Sequence, residues 1–435
     1  MALFFFIRKL MAGLVLAICS ISSATAACTA TYSTRNAWST GFVVDVVLSN
    51  SGTVPISDWS VNWTYNNPIG LVGAPWGSDF HIKGDTVSAV DNGSNPTIAP
   101  GASVSFGASV TFNGTAKPTP GALSVTAAGC GGFYVNPQSS AATWVKANSL
   151  DPRAAAIKSS IAQVPTALWL TGAGGNISNA VGTYVAAANA LNQSPILVAY
   201  NIPDRDCGGA SSGGASSSAA YQTWIEEFAR AIGTHQAIVI LEPDALADAW
   251  APMNCFSNKT TQTQATRLTL LTYAISQFNS YAPNTRVYLD IGNSAWLPVA
   301  DAANLLIAAG IAHAHGFSLN VSNFQTDAQS IAFGNAVNAA LEKQHVSTKP
   351  FVIDTSRNGN GPLLAANGST VWCDPTTRKV GLVPEQYPAG NIPDMRLWVK
   401  SPGGTDGCAT PSGSTVPYAA GTFVPQIAYD LISGD

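Results

Sequence analysis

Val198-Ala199-Tyr200-Asn201-Ile202-Pro203-Asp204-Arg205-Asp206-Cys207 and Ile238-Val239-Ile240-Leu241-Glu242-Pro243-Asp244 decide the fold. Each opens as a short apolar run rich in β-branched residues, meets a proline, and then delivers an aspartate. Such runs read as buried strands. Laid parallel, they place Asp206 and Asp244 on one carboxyl-terminal edge, where α/β folds assemble their chemistry. Two carboxylates on one rim can act as a proton donor and its electrostatic partner.

The same pattern continues outward. Strands are predicted at Ala167–Leu170, Pro195–Asn201, Ala237–Leu241, Arg286–Ile291, Gly316–Val321, Pro350–Thr355 and Met395–Lys400. Helices are predicted between most of them, most clearly at Tyr221–Ile232, Gln262–Tyr281, Ala300–Ala312 and Asp327–His345. Seven strands with intervening helices imply a parallel α/β barrel or a doubly wound sheet over residues 133–435. Polar residues follow nearly every strand: Asp206, Asp244, Asp290, Asn320, Asp354 with Arg357, and Lys400. That regularity suits a rim that binds something polar.

Residues 27–131 read differently. Alternating runs such as Gly41–Leu48 and Trp59–Trp63 are separated by Ser-Gly, Asn-Gly and Pro-Gly turns, the pattern of an antiparallel β-sandwich. Cys28 and Cys130 bracket this module and could close it end to end. Only Gly131-Gly132 separates the two parts, so no long linker is expected. Residues 1–26 carry Arg8 and Lys9, the apolar stretch Leu10–Ile18 and Ala24-Thr25-Ala26, a secretory signal.

Without that signal the chain holds 18 basic and 24 acidic residues, a net charge of −6. That argues against nucleic acid and anionic membranes as partners. Six of the seven cysteines remain, an even number in an oxidising compartment, so disulfides are expected. His313 and His315 are too few ligands for a metal, and no P-loop or dinucleotide fingerprint occurs, so no metal or cofactor is expected. A monomer is expected.

The segments Val198–Gly214 and Ile238–Ala247 resemble the two signature stretches of glycoside hydrolase family 6, the cellulases. Leu289-Asp290, Gly316–Asn323, Phe351–Gly359, Trp372-Cys373 and Trp398-Val399-Lys400 extend the resemblance, in order, across residues 133–435. The terminal cysteines, Trp38 with Gly41-Phe42, and Trp59–Trp63 resemble a family 2 carbohydrate-binding module. The resemblance implies a distorted seven-stranded barrel that inverts the anomeric carbon while cleaving β-1,4-glucosidic bonds.

By that resemblance Asp244 is the general acid and Asp206 the carboxylate that raises its pKa. Asp406 is the candidate base, working through water; Ser212 helps hold that water, and Tyr200 crowds the reacting sugar. The bland alternative has Asp206 pairing with Arg205 and Asp244 capping a helix. Trp169, Trp296 and Trp372 match glucosyl subsites. Asn320, Lys400 and Arg357 are expected to meet hydroxyls or carboxylates, and Asp290 to support the rim. Glu242 is expected to be structural. Asn293 stands where a histidine is common, and Gly404 where a glutamate is usual. Trp38 and Trp76 are expected to form the cellulose platform, with Trp59 and Trp63 in the core. The resemblance favours the pairs Cys207–Cys255 and Cys373–Cys408, although four cysteines allow three pairings.

The expected activity is a secreted endo-β-1,4-glucanase acting on cellulose and soluble β-1,4-glucans. The short stretch from Arg357 to Trp372 favours an open cleft. A cellobiohydrolase, or a glucan-binding protein with a decayed catalytic half, are the alternatives.

Overall fold

The computed structural model describes residues 28–51, 55–114, 116–121, 123–128, 132–190, 193–250, 255–256, 263–387, 390–412 and 414–434. The signal segment, Cys130 and Gly131 lie outside them.

The N-terminal part is a sandwich of two antiparallel sheets. One has the order β1 (Cys28–Trp38), β2 (Gly41–Asn50), β8 (Ser103–Phe112), β4 (Ile69–Trp76). The other runs β5 (Asp79–Lys83), β6 (Thr86–Val90), β3 (Ile56–Thr64), β7 (Thr97–Ile98), with β9 (Ser124–Ala128) also paired to β3. Alternation decides which face packs: Phe42, Val44, Val46 and Leu48 of β2 point inward and are fully buried. Trp59 and Trp63 join that core, as expected. Cys28 is buried and disulfide-bonded.

The second part is a curled parallel sheet. Seven parallel strands follow chain order: β10 (Leu168–Leu170), β11 (Ile196–Ala199), β12 (Ala237–Leu241), β13 (Thr285–Asp290), β14 (Gly316–Leu319), β15 (Phe351–Asp354) and β17 (Met395–Leu397). A two-residue strand, β16 (Glu385–Gln386), pairs antiparallel with β17; it is too short to carry a sequence pattern. The strands are apolar on both faces because both faces are covered. Ile196, Val198, Ile238, Ile240, Tyr288 and Val352 fill the barrel interior, while Leu197, Val239, Leu241, Leu289 and Ile353 meet the helices.

Those helices are α1 (Ser140–Ala147), α2 (Ala154–Ile157), α3 (Ile177–Ala190), α4 (Ser218–Ile232), α5 (Ala245–Asp248), α6 (Gln264–Tyr281), α7 (Val299–Ala308), α8 (Asp327–Lys343) and α9 (Pro425–Ser433). In α4, Tyr221, Trp224, Ile225, Phe228, Ala229 and Ile232 form one buried stripe, and Ser217 caps the start. The barrel seam is lightly stitched. Ala167 N donates to Trp398 O at 3.0 Å, and the Trp169 indole donates to Val399 O at 2.8 Å. No helix among the described residues is long and apolar enough to cross a membrane.

Candidate active site

The rim is built by carboxylates that hold the main chain of a neighbouring loop. Glu242, just past β12, accepts the amides of Asn201 and Ile202 at 2.9–3.0 Å. Asp290, ending β13, accepts the amides of Asp244 at 3.0 Å and Gly292 at 3.1 Å, and the Ser318 hydroxyl at 3.0 Å. Asp354, ending β15, accepts amides of Ser322, Ser356, Val399 and Lys400 at 2.9–3.2 Å. All three are almost wholly buried. Satisfied acceptors of this kind hold loops at fixed positions. Glu242 is structural, as the sequence suggested.

Asp204, Asp206, Cys207, Glu242, Asp244, Asn320 and Ser322 all have left-handed backbones, with φ from 48° to 69°. Such strain gathers at sites whose geometry the surrounding fold dictates. Asp244 begins α5, yet its side chain makes no capping hydrogen bond, so the bland reading does not describe it. Its pKa is pushed well up by burial first, then by the negative charges of Asp290, Asp248 and Asp206, against a smaller pull from Lys400. Asp206 contributes, as the resemblance implies, and Asp290 and Asp248 add larger contributions. Asp248, four residues after Asp244, sits one helical turn on, a spacing visible in the sequence but not tied there to any motif. Burial also raises Asp290, to about 6.

Asp206 stands on the loop pinched by the Arg205–Gly213 bridge. It accepts the Ser211 amide at 2.6 Å, and burial raises its pKa. Arg205 gives its guanidinium to the carbonyls of Thr171, Tyr200 and Ser211. It also lies 4.8 Å over the Tyr200 ring, which meets Trp169 edge-on at 5.2 Å. The charges of Asp244 and Asp206 both bear on the Tyr200 hydroxyl, so these three groups share one region. Ser212 is exposed on the Asp206 loop. The Cys207–Cys255 disulfide ties this loop to the segment after Asp244. Asp248 lies near both sulfurs, but they are bonded to each other and offer no thiolate to a metal.

Asp406 occupies a second cluster. Its Oδ2 meets Arg357 at 2.8 Å and its Oδ1 meets Lys400 at 2.9 Å. Burial opposes its ionisation, but Arg357 and Lys400 prevail and hold its pKa at about 2. Asp374, unremarked in the sequence as a site residue, organises this loop. It accepts the amides of Asp406, Cys408 and Ala409 at 2.7–3.1 Å and the Thr405 hydroxyl. Its own amide returns a bond to Asp406 at 3.1 Å. The Cys373–Cys408 disulfide runs alongside.

Two residues expected to meet hydroxyls or carboxylates are committed to protein groups, and for Arg357 the partner is a carboxylate, as expected. Asn320 is completely buried, and its amide is spent on Gln325, Asn323 and Asp354 main chain. It locks the loop after β14 and presents nothing to a sugar. Arg357 is buried as well, between Asp406, the Ser322 carbonyl and the Phe324 ring. Asn293 is buried, with Oδ1 accepting the Ala295 amide and Nδ2 without a partner. Trp169 and Trp296 are half-buried, whereas Trp372 is 55% exposed.

On the outer face of the β1-β2-β8-β4 sheet, Trp38 and Trp76 each lie against a glycine. A Cβ at Gly41 would stand 2.4 Å from the Trp38 ring, and one at Gly107 2.3 Å from the Trp76 ring.

The family model of glycosyl hydrolases family 6 matches residues 130–434. The chain belongs to that family. Residues 28–130 match the cellulose binding domain model. The family 6 part is a glycoside hydrolase of the cellulase type, and its relatives agree. It is 48% identical over 305 residues to endoglucanase 1 of Streptomyces halstedii, covering 70% of this chain and 89% of that one. Identity to endoglucanase A of Cellulomonas fimi is 33%, over 93% of this chain and 91% of that protein. A probable 1,4-beta-D-glucan cellobiohydrolase C of Aspergillus fumigatus is 30% identical, over 66% of this chain and 69% of that one. Among solved structures, the endoglucanase Cel6 from Mycobacterium tuberculosis superposes with a TM-score of 0.61 at 36% identity, covering 70% of this chain and 97% of that one. That structure holds methyl-cellobiosyl-4-deoxy-4-thio-β-D-cellobioside.

Proposed function

We propose that this chain is a secreted endo-β-1,4-glucanase that cuts internal bonds of cellulose and soluble β-1,4-glucans with inversion at the anomeric carbon. The observation that carries the reading is Asp244. Its carboxyl is uncommitted to capping, and burial with three neighbouring carboxylates shifts it toward the protonated form. A glycosidic oxygen is a poor leaving group, and a carboxylic acid that survives near neutral pH is what protonates it.

In this reading Asp244 donates its proton to the leaving oxygen. Asp206 offers negative charge to the oxocarbenium-like transition state, and Tyr200 presses the reacting ring toward distortion. Inversion then needs water on the opposite face. Ser212 helps hold it. Asp406, a weak base at a pKa of about 2, has both oxygens engaged by Arg357 and Lys400, and in this reading it takes the proton through water. Trp169, Trp296 and Trp372 supply stacking faces, and Lys400 orders the base side. The Trp38–Trp76 face adsorbs the enzyme to cellulose. Endo action is favoured by the endoglucanase relatives at 33–48% identity against 30% for the cellobiohydrolase. The signal-like residues 1–26 and the disulfides favour secretion.

The test is a paired time course on carboxymethyl cellulose, viscosity against reducing ends, with Asp244→Ala as control. A steep viscosity fall at few cuts, absent in the variant, is expected. Reducing ends without viscosity loss would mean an exo-acting enzyme instead, and none at all a binding protein.

A further inference from the structure

Arg267 is a cation with 0% exposure on α6, outside the rim described above. Its Nη2 donates to Pro203 O at 3.1 Å and Asp204 O at 3.0 Å. Its Nη1 lies 3.5 Å from Asp248 Oδ2, and its guanidinium sits 4.8 Å from the Phe256 ring. Pro203 and Asp204 lead directly into Asp206. Asp248 closes the turn that Asp244 opens, its amide donating to Asp244 O at 2.8 Å. One guanidinium therefore touches both acid-bearing loops and anchors them to a helix of the core. The disulfide does less than this: Cys255 lies eleven residues past Asp244, whereas Asp248 belongs to the Asp244 turn itself.

We propose that Arg267 is a positioning residue that fixes the Asp244 turn against the Asp206 loop; this rests on the reading of Asp244 as the general acid. A buried arginine is costly to keep without full pairing, and here neither Nε nor Nη1 makes a hydrogen bond, so Arg267 holds Asp248 by charge alone. Around the guanidinium stand Asp248, Glu242, Asp204 and Tyr221. Both of its hydrogen bonds leave Nη2 for carbonyls of the Asp206 loop, at angles that the planar guanidinium fixes. Catalytic geometry is steep in distance: a misplacement of about 1 Å can cost on the order of 100-fold in rate.

The test compares two substrates in full-length Arg267→Met and Arg267→Lys variants. Cellotetraose needs its leaving oxygen protonated; 2,4-dinitrophenyl cellobioside releases an acidic phenol that does not. If Arg267 aims the acid, Arg267→Met lowers kcat on cellotetraose roughly 30-fold with KM unchanged, and on the aryl glycoside less than about 5-fold. Arg267→Lys recovers part of the loss. Equal losses on both substrates overturn the proposal, as does unchanged kcat with only a lower Tm. If Arg267→Met does not fold, Arg267→Lys alone decides by the same substrate contrast. Asp244→Ala run in parallel separates the two ideas: if it fails to discriminate between the substrates, the assignment of the acid is what has failed.

Discussion

The carboxylate of Asp290 accepts the main-chain amide of Asp244 at 3.0 Å, so the residue that most strongly charges the acid's surroundings also fixes its backbone. One neighbour thus fixes the position of Asp244 and adds to the proton affinity that burial raises first.

Asp290→Asn removes that charge and keeps an acceptor for the amide. The raised pKa of Asp244 then falls, and the acid ionises at lower pH. The alkaline limb of the kcat/KM profile on carboxymethyl cellulose is expected to move to lower pH. A profile that keeps its alkaline limb would show that Asp290 acts only as a brace.

Asp406→Ala leaves the buried Arg357 and the largely covered Lys400 without their shared carboxylate. Breaking such a pair costs about 3–5 kcal/mol. The folded pKa of Asp406, about 2, lies below the ordinary 3.8, so its contribution is complete above the latter and is lost as pH falls through the former. Urea unfolding should show the full difference between wild type and variant at pH 7, shrinking below pH 4. A constant gap down to pH 2 would contradict the ion-pair account.

Glu242 runs the other way. Burial raises its pKa to about 7 from an ordinary 4.5, against the pull of the Asn201 and Ile202 amides. The folded state holds the extra proton between those values, so stability falls as pH climbs through that window. Glu242→Gln should flatten the pH dependence of Tm between pH 5 and 8, while lowering Tm overall because an amide cannot accept every bond the carboxylate accepts. An unchanged slope would place the proton elsewhere.

Trp38→Ala and Trp76→Ala each remove one ring of the sandwich's outer face. Each should weaken adsorption to crystalline cellulose about tenfold, near 1.4 kcal/mol. Adsorption isotherms at matched ionic strength decide; unchanged binding in both variants would move the cellulose contact off this face.

Much of the architecture was legible because buried parallel strands need apolar runs and the chain has seven of them, each ending near polar residues. The helix Ile177–Ala190 escaped because its alanine-rich sequence shows little contrast between faces. Asp206, Asp244 and Asp406 could be picked out by motif. Their surroundings could not. Asn320 looks like a hydroxyl partner until its amide is found spent on main chain, and Arg267 says nothing until the carbonyls of residues 64 and 63 positions away are seen against it. A strand is written in neighbouring residues, whereas a pKa or a brace is written in residues that meet only after folding.

The rim also bears on how this enzyme can be altered. Glu242 secures the loop after β11, Asp290 the loop after β12, and Asp354 the loops after β14 and β17. Whatever bonds such a loop makes within itself, each also leans on the strand beside it. Grafting a single loop from a relative would therefore import a segment whose support stayed behind, and successful transplants should have to travel with the adjoining strand end.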